Sequence, residues 1–173
     1  MNAATSSTND PASLRKIRWW LALFMVALAL SGITAFPLQS EVNHLAAFRG
    51  LERVTVADAG NSFDRWILIV RDGLHDSYAT YPWLAYGTDW LAFAHLAIAV
   101  FFIGAFVDPV RNVWILQAGI IACVLVIPLA LICGAVRHIP LGWRLIDCSF
   151  GVFGVIPLVY CLRLTRALER RPG

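Results

Sequence analysis

Five ionisable side chains lie within, or at the mouth of, long apolar stretches of this sequence: Asp89, His95, Arg137, Arg144 and Asp147. A charge at the centre of a membrane helix costs roughly 2.5–3.5 kcal/mol on insertion scales, so each such residue requires an inward face and a partner. Imidazole is the side-chain type suited to proton exchange near neutral pH, which makes His95 the candidate proton-transfer group. Asp147 would orient the imidazole or stabilise its charged form, so His95 and Asp147 form the candidate catalytic pair. Asp89, Arg137 and Arg144 are the candidate ligand-binding residues, the arginines being suited to an anionic or carbonyl-bearing ligand.

Other chemistries find less support. A metal site needs three or four converging ligands; Asp89, His95 and Asp147 could converge in principle, but there is no HxxxH or HExxH spacing, so none is assigned. A b-type haem needs two axial ligands at one depth. His138 stands roughly 10 Å from the level of His95 by helix rise, which leaves only His44, brought in by a folded-back loop. Cys123, Cys133, Cys148 and Cys161 form no CxxC pair and suit small apolar roles. Cys148 and Ser149 carry no nucleophile motif. No cofactor follows from these residues.

Each candidate also has a structural reading. Asp89 follows Thr88 at the expected start of a helix, where a carboxylate favours the helix dipole. Asp147 with Arg144 or Arg137 could be an ion pair that fixes helix register. His95 hydrogen-bonded to a backbone carbonyl or to Ser31 would be a packing residue. Gln117 reads as interhelical glue, His44 and His75 as solvated surface, and His138 as interfacial.

The elements that must position these residues are membrane spans. Of 173 residues, 59% are hydrophobic and only 14% charged, and the mean hydropathy is +0.68. Soluble domains are about 45–50% apolar with about a quarter charged, and disorder needs the opposite composition. The net charge of +3 is small and scattered, which argues against a nucleic-acid partner. Roughly 20 apolar residues cross a bilayer as helix, and four blocks qualify, at about 19–38, 89–107, 113–136 and 144–162. They predict an all-α, antiparallel four-helix membrane bundle in a single membrane domain spanning 1–173, in contact with the lipid bilayer.

Arg15, Lys16 and Arg18 precede the first block, and Arg163, Arg166, Arg170 and Arg171 follow the fourth, whereas no basic residue lies between Pro37 and Arg49. By the positive-inside rule both termini, 1–18 and 163–173, are cytoplasmic. Basic residues over the whole chain divide nearly evenly, so the orientation rests on these flanks. Trp19, Trp20, Trp114 and Tyr160 then form a cytoplasmic aromatic belt, and Tyr78, Tyr81, Trp83, Tyr86, Trp90 and Trp143 an outer one. Ile33-Thr34-Ala35 could pass for a cleavage site, but the preceding apolar run exceeds a signal h-region and reads as an uncleaved anchor.

Small residues mark the inward faces: Ala27, Ser31 and Ala35 in span one, Ala92, His95 and Ala99 in span two, Ala130 and Gly134 in span three, and Arg144, Asp147, Gly151 and Gly154 in span four. Pro128 and Pro157 can kink spans three and four. Asp108-Pro109 reads as an N-cap with proline at the first helical position. The 39–88 loop is too long to be mere connection. Ser40 can start a short helix with Val42, Leu45 and Ala46 on one side. Gly60-Asn61-Ser62 starts another, with Phe63, Trp66, Ile67, Val70 and Leu74 on one side and Asp64, Arg71, Asp72, His75 and Asp76 largely on the other. Such a helix would lie on the outer surface or over the mouth of the bundle. No internal repeat relates the first two spans to the last two.

The stretches LSGITAFPL (30–38), LAYGTDWLAFAH (84–95) and LIDCSFG (145–151) resemble a family of small uncharacterised bacterial four-span inner-membrane proteins, over most of the chain from Trp19 onward. The resemblance implies an integral membrane protein of the bacterial inner membrane and no activity. Three functions remain, in order: a structural or assembly subunit of a membrane complex, meeting a membrane-protein partner or a second copy of the chain; a membrane-embedded enzyme or ligand-binding protein with a polar site on the outer side; and a haem- or quinone-linked redox subunit. A channel ranks below these, because the inner half offers little beyond Gln117 to line a polar path.

Overall fold

A computed structural model describes residues 11–170. Arg171 and the polar residues ahead of Pro11 lie outside the described residues. Within them the chain is helical, in the order α1 (Pro11–Ala35), α2 (Leu38–Phe48), α3 (Ser62–Thr80), a 3-10 turn (Pro82–Leu84), α4 (Ala85–Val107), α5 (Val113–Val136) and α6 (Leu141–Glu169). Helices α1, α4, α5 and α6 are long and apolar enough to cross a membrane.

The helix ends have local causes. Proline at 37 removes a donor and forces Phe36 away from helical backbone, so α1 stops at Ala35 rather than running to 38. The next helix opens directly behind Pro37, ahead of Ser40, which falls in its first turn. Asp108 and Pro109 do not begin α5. Asp108 Oδ1 accepts the Arg111 N–H at 3.0 Å, and Asn112 Nδ2 donates to the Gly104 and Asp108 carbonyls at 3.0 and 2.9 Å. The pair shapes a tight turn, and α5 starts at Val113 as the apolar block predicts. At the far end of α5, His138 takes a left-handed φ of 57°. Its N–H reaches Ala135 O at 3.1 Å and that of Ile139 reaches Gly134 O at 2.9 Å, the Schellman arrangement that glycine usually closes. Gly50, φ 69°, closes the same motif after α2.

The described residues form two compact units, and the division runs through α1 and α4. The first comprises 11–27 and 99–170. Its core joins Ile17 and Leu21 of α1, Phe102 and Ala105 of α4, Leu116 of α5, and Leu158, Cys161 and Leu168 of α6. Phe24 and Phe102 pack with ring centroids 4.9 Å apart. Helices α5 and α6 meet along their length: Gly134 lies under Arg144, the Ile127 carbonyl under Cys148, the Cys123 carbonyl under Gly151, and Gly119 beside Leu158. Contacts therefore step down α5 as they step up α6. A side chain at 151 would drive into the Cys123 carbonyl, and a backbone cannot swing aside as a flexible side chain can. The helices continue through Pro128 and Pro157.

The second unit, Leu28–Ile98, contains the long loop. Asn61 caps α3 as the sequence predicts, its Oδ1 accepting the Asp64 N–H at 2.9 Å. The face that α3 turns inward, however, carries charge as well as Ile67 and Leu68. Asp64 is buried and accepts from Arg49 Nε and Nη2 at 3.0 and 3.3 Å and from Asn61 Nδ2 at 2.6 Å. Arg71 Nη1 donates to Leu51 O at 3.0 Å. Asp64 and Arg71, expected largely opposite the apolar side of α3, each find a partner in the 49–51 turn, and a satisfied charge can be buried. Phe63, on the expected apolar side, is 43% exposed.

Two outcomes follow. Gly151→Ala should lower the stability of the detergent-purified chain by about 1–3 kcal/mol, read as a drop in thermal midpoint. Gly142→Ala, into open space, should leave it nearly unchanged. The Arg49 hydrogen bond holds the Asp64 carboxyl below the usual carboxylate range. The α2–α3 hairpin therefore has its full ion-pair stability above the unfolded value of about 3.9 and loses it as pH falls through the lower folded value. Hydrogen exchange in the first turns of α3 should accelerate on acidification below pH about 4, and Asp64→Ala should remove that dependence.

Candidate functional site

Four of the five candidates fall on two helices, α4 and α6, and Arg137 lies just beyond the end of α5. His95 and Asp89 belong to α4 in the unit Leu28–Ile98; Arg137, Arg144 and Asp147 belong to the other unit.

His95 is half-buried, one turn beyond Ala92, which is fully buried. Its Nδ1 lies 2.8 Å from the Leu91 carbonyl. A carbonyl only accepts, so Nδ1 carries the proton, and in the neutral imidazole Nε2 is left as a bare acceptor. Across from it is Gly32 of α1, buried, where an added side chain would come within 2.9 Å of both Ala92 O and His95 Cβ. The close approach is thus made by Gly32 and not by the stripe Ala27, Ser31 and Ala35, of which Ala27 is exposed and the other two half-buried. Among the options for a packing role, the Leu91 carbonyl takes the bond and Ser31 does not.

Asp89 does not start its helix. The 3-10 turn Pro82–Leu84 leads into α4 at Ala85, which moves Asp89 to the second turn, half-buried. About 9 Å of helix rise separates it from His95, and their azimuths differ by about 120°, with Ala92 between them. Thr88 Oγ1 donates to the Ala85 carbonyl at 2.7 Å.

Arg144 turns away from Asp147. Its stem crosses α5 in the slot left by Gly134, and Nη1 donates to Leu131 O at 3.4 Å. Its Nε is buried without a hydrogen-bond partner. Among the described residues the ion pairs are Arg49–Asp64 and Arg71–Asp72, so the pairing of Asp147 with Arg144 or Arg137 is not made. The Gly134 slot and the Leu131 carbonyl supply the competing seat. Arg137 is exposed just beyond α5. Because α6 opens at Leu141 behind Pro140, three residues earlier than the expected 144, Asp147 stands about 9 Å along the helix. Its azimuth is that of Leu158 and Thr165, both fully buried, yet Asp147 itself is exposed.

Cys148 Sγ approaches Ile127 O at 3.9 Å and Cys161 Sγ approaches Ile17 O at 3.7 Å, which are packing contacts of small, weak donors. Ser149 Oγ donates to Ile146 O at 2.6 Å. Among the described residues no three His, Cys, Asp or Glu side chains converge as a metal centre. One polar cleft escaped the sequence analysis. About 390 Å³ in volume, it lies between α2 and α3 and is lined by Asn43, Ala46, Glu52, Arg71, Asp72 and His75, with His75 Nδ1 held 3.2 Å from Gln39 Nε2. Its residues come from three stretches of the loop, and no local spacing announces it. No protein family, curated protein or solved structure matches the chain.

Chemically, the arrangement gives His95 one occupied and one free nitrogen, gives Arg144 an orphan donor, and leaves Asp147 with an uncovered carboxylate. The side-chain ¹⁵N spectrum at alkaline pH should show His95 protonated at Nδ1 alone. A shift pattern for protonation at Nε2 would mean that the Leu91 bond is not made.

Proposed function

We propose that this chain is a multi-pass protein of the bacterial inner membrane, an antiparallel four-helix bundle with both termini cytoplasmic, that serves as a structural or assembly subunit of a membrane complex. It would belong with the small four-span proteins it resembles, and the 39–88 loop would lie on the outer side.

Asp147 carries this reading. A carboxylate two turns into a membrane helix needs a partner, and neither nearby arginine provides one, since Arg144 is held on α5 and Arg137 lies beyond its end. The partner is then a hydrogen-bond donor or cation on another subunit. The flanking surface fits such a contact: Leu145, Ile146 and Phe150 are 55%, 45% and 64% exposed. Between 11% and 28% of each span's most apolar window is buried by the chain itself, so most span surface is available to lipid or to a neighbouring helix.

The test is a photo-crosslinking residue at Phe150, activated in native membranes. A discrete protein adduct that disappears in Asp147→Leu is the expected result. Adducts to lipid alone, the same with and without the carboxylate, would refute the subunit reading.

A further inference from the structure

The N-terminal end of α1 carries a second cleft, of about 560 Å³, lined by Pro11, Leu14, Arg15, Arg18, Trp19, Ala22 and Phe106. All of it lies within the unit formed by 11–27 and 99–170. Its lining is of two kinds. One is basic: Arg15 and Arg18 stand three residues apart on one helix face, beside Lys16. The other is apolar, made of Leu14 and Ala22 on the same side of α1 together with Phe106. Ile17 and Leu21 point into the core and are fully buried, which leaves the Arg15–Arg18–Ala22 face turned outward.

Arg18 is fixed in place. Its Nε donates to Phe106 O at 3.2 Å and its Nη2 to Val107 O at 3.3 Å, the last carbonyls of α4, where a cation also meets the negative end of the helix dipole. Those bonds pin the guanidinium at the cleft edge with Nη1 left over. Arg15 is exposed. Trp19, 74% exposed, adds an amphipathic ring of the kind that settles at headgroup depth.

We propose that this cleft binds an anionic phospholipid, its phosphate held by Arg15 and Arg18 and an acyl chain laid along Leu14, Ala22 and Phe106. Charge complementarity selects the headgroup, since among the described residues none that lines the cleft is acidic. The apolar lining selects a lipid over free phosphate, which would use only the arginines. Basic pockets beside membrane helices recognise anionic headgroups by the same combination. The inference needs the chain to be in a membrane but not to be a subunit, so it stands or falls apart from the Asp147 contact.

The experiment is native mass spectrometry of the full chain in detergent, titrated with phosphatidylglycerol or phosphatidylcholine. The first phosphatidylglycerol should bind about thirtyfold more tightly than phosphatidylcholine, the combined effect of two basic residues at about 1 kcal/mol each. Arg15→Gln, which leaves the Arg18 bonds intact, should weaken phosphatidylglycerol about fivefold and phosphatidylcholine hardly at all. Ala22→Phe should fill the acyl seat and lower binding with both arginines present; if that variant does not fold, the Arg15→Gln comparison decides alone. Equal affinity for the two lipids, no effect of Arg15→Gln, or full displacement of the lipid by millimolar inorganic phosphate would overturn the proposal.

Discussion

The backbone of α6 passes so close to the Cys123 carbonyl that position 151 admits no side chain. Much of the unit around it depends on that approach. It sets the register that lays Arg144 over Gly134, sends Cys148 toward the Ile127 carbonyl, and puts Leu158 beside Gly119. Further along α6, the same rotation brings Leu158 and Cys161 into one core with Ile17, Leu21 and Phe102. In lipid, apolar side chains gain little by meeting one another, so close packing at small residues has to supply the specificity. Arg144 is a consequence of this geometry: an arginine at that register has a glycine slot before it and a carbonyl at its end, and its own Asp147 is left unclaimed.

An uncovered carboxylate in a membrane-length helix is what the proposed function rests on. Asp147 shares its azimuth with residues that are fully buried further along α6, so the exposure is a matter of depth along the helix and not of a wrong face. His95 differs. It satisfies one nitrogen on its own helix and packs its Cβ against the Gly32 position, which is how a histidine is accommodated at modest cost in an apolar span. The loop hairpin follows yet another rule. Asp64 is buried because Arg49 and Asn61 supply three side-chain donor contacts to its carboxylate, and a buried charge that is well paired locks the ends of α2 and α3 together.

Helix existence was legible in the sequence because apolar length is decisive in a bilayer, and α5 begins and ends where its apolar block does. The Asn61 start of α3 was legible too, since capping is local chemistry. What escaped depends on contacts between distant residues. Ser31 and Gly32 are both small, and only the packing of α1 against α4 shows that Gly32 makes the contact. The Arg144–Asp147 spacing suits a pair, but a slot on α5 outcompetes it, and Gly134 is ten residues away. The burial of Asp64 on α3 was not legible because its partner Arg49 is fifteen residues upstream, behind a turn. Arg15, Arg18 and Ala22 already stood at helical spacing, whereas Phe106, which completes their cleft, comes from the end of a different helix.

The central claim is that another subunit covers Asp147. It is tested most directly by extracting the chain from its native membrane in polymer-bounded lipid discs and weighing what comes out. The account predicts a particle whose protein mass exceeds the 19.1 kDa of one chain, and which reverts to the single chain in Asp147→Leu. A particle holding one chain, with the same mass in both proteins, would contradict it.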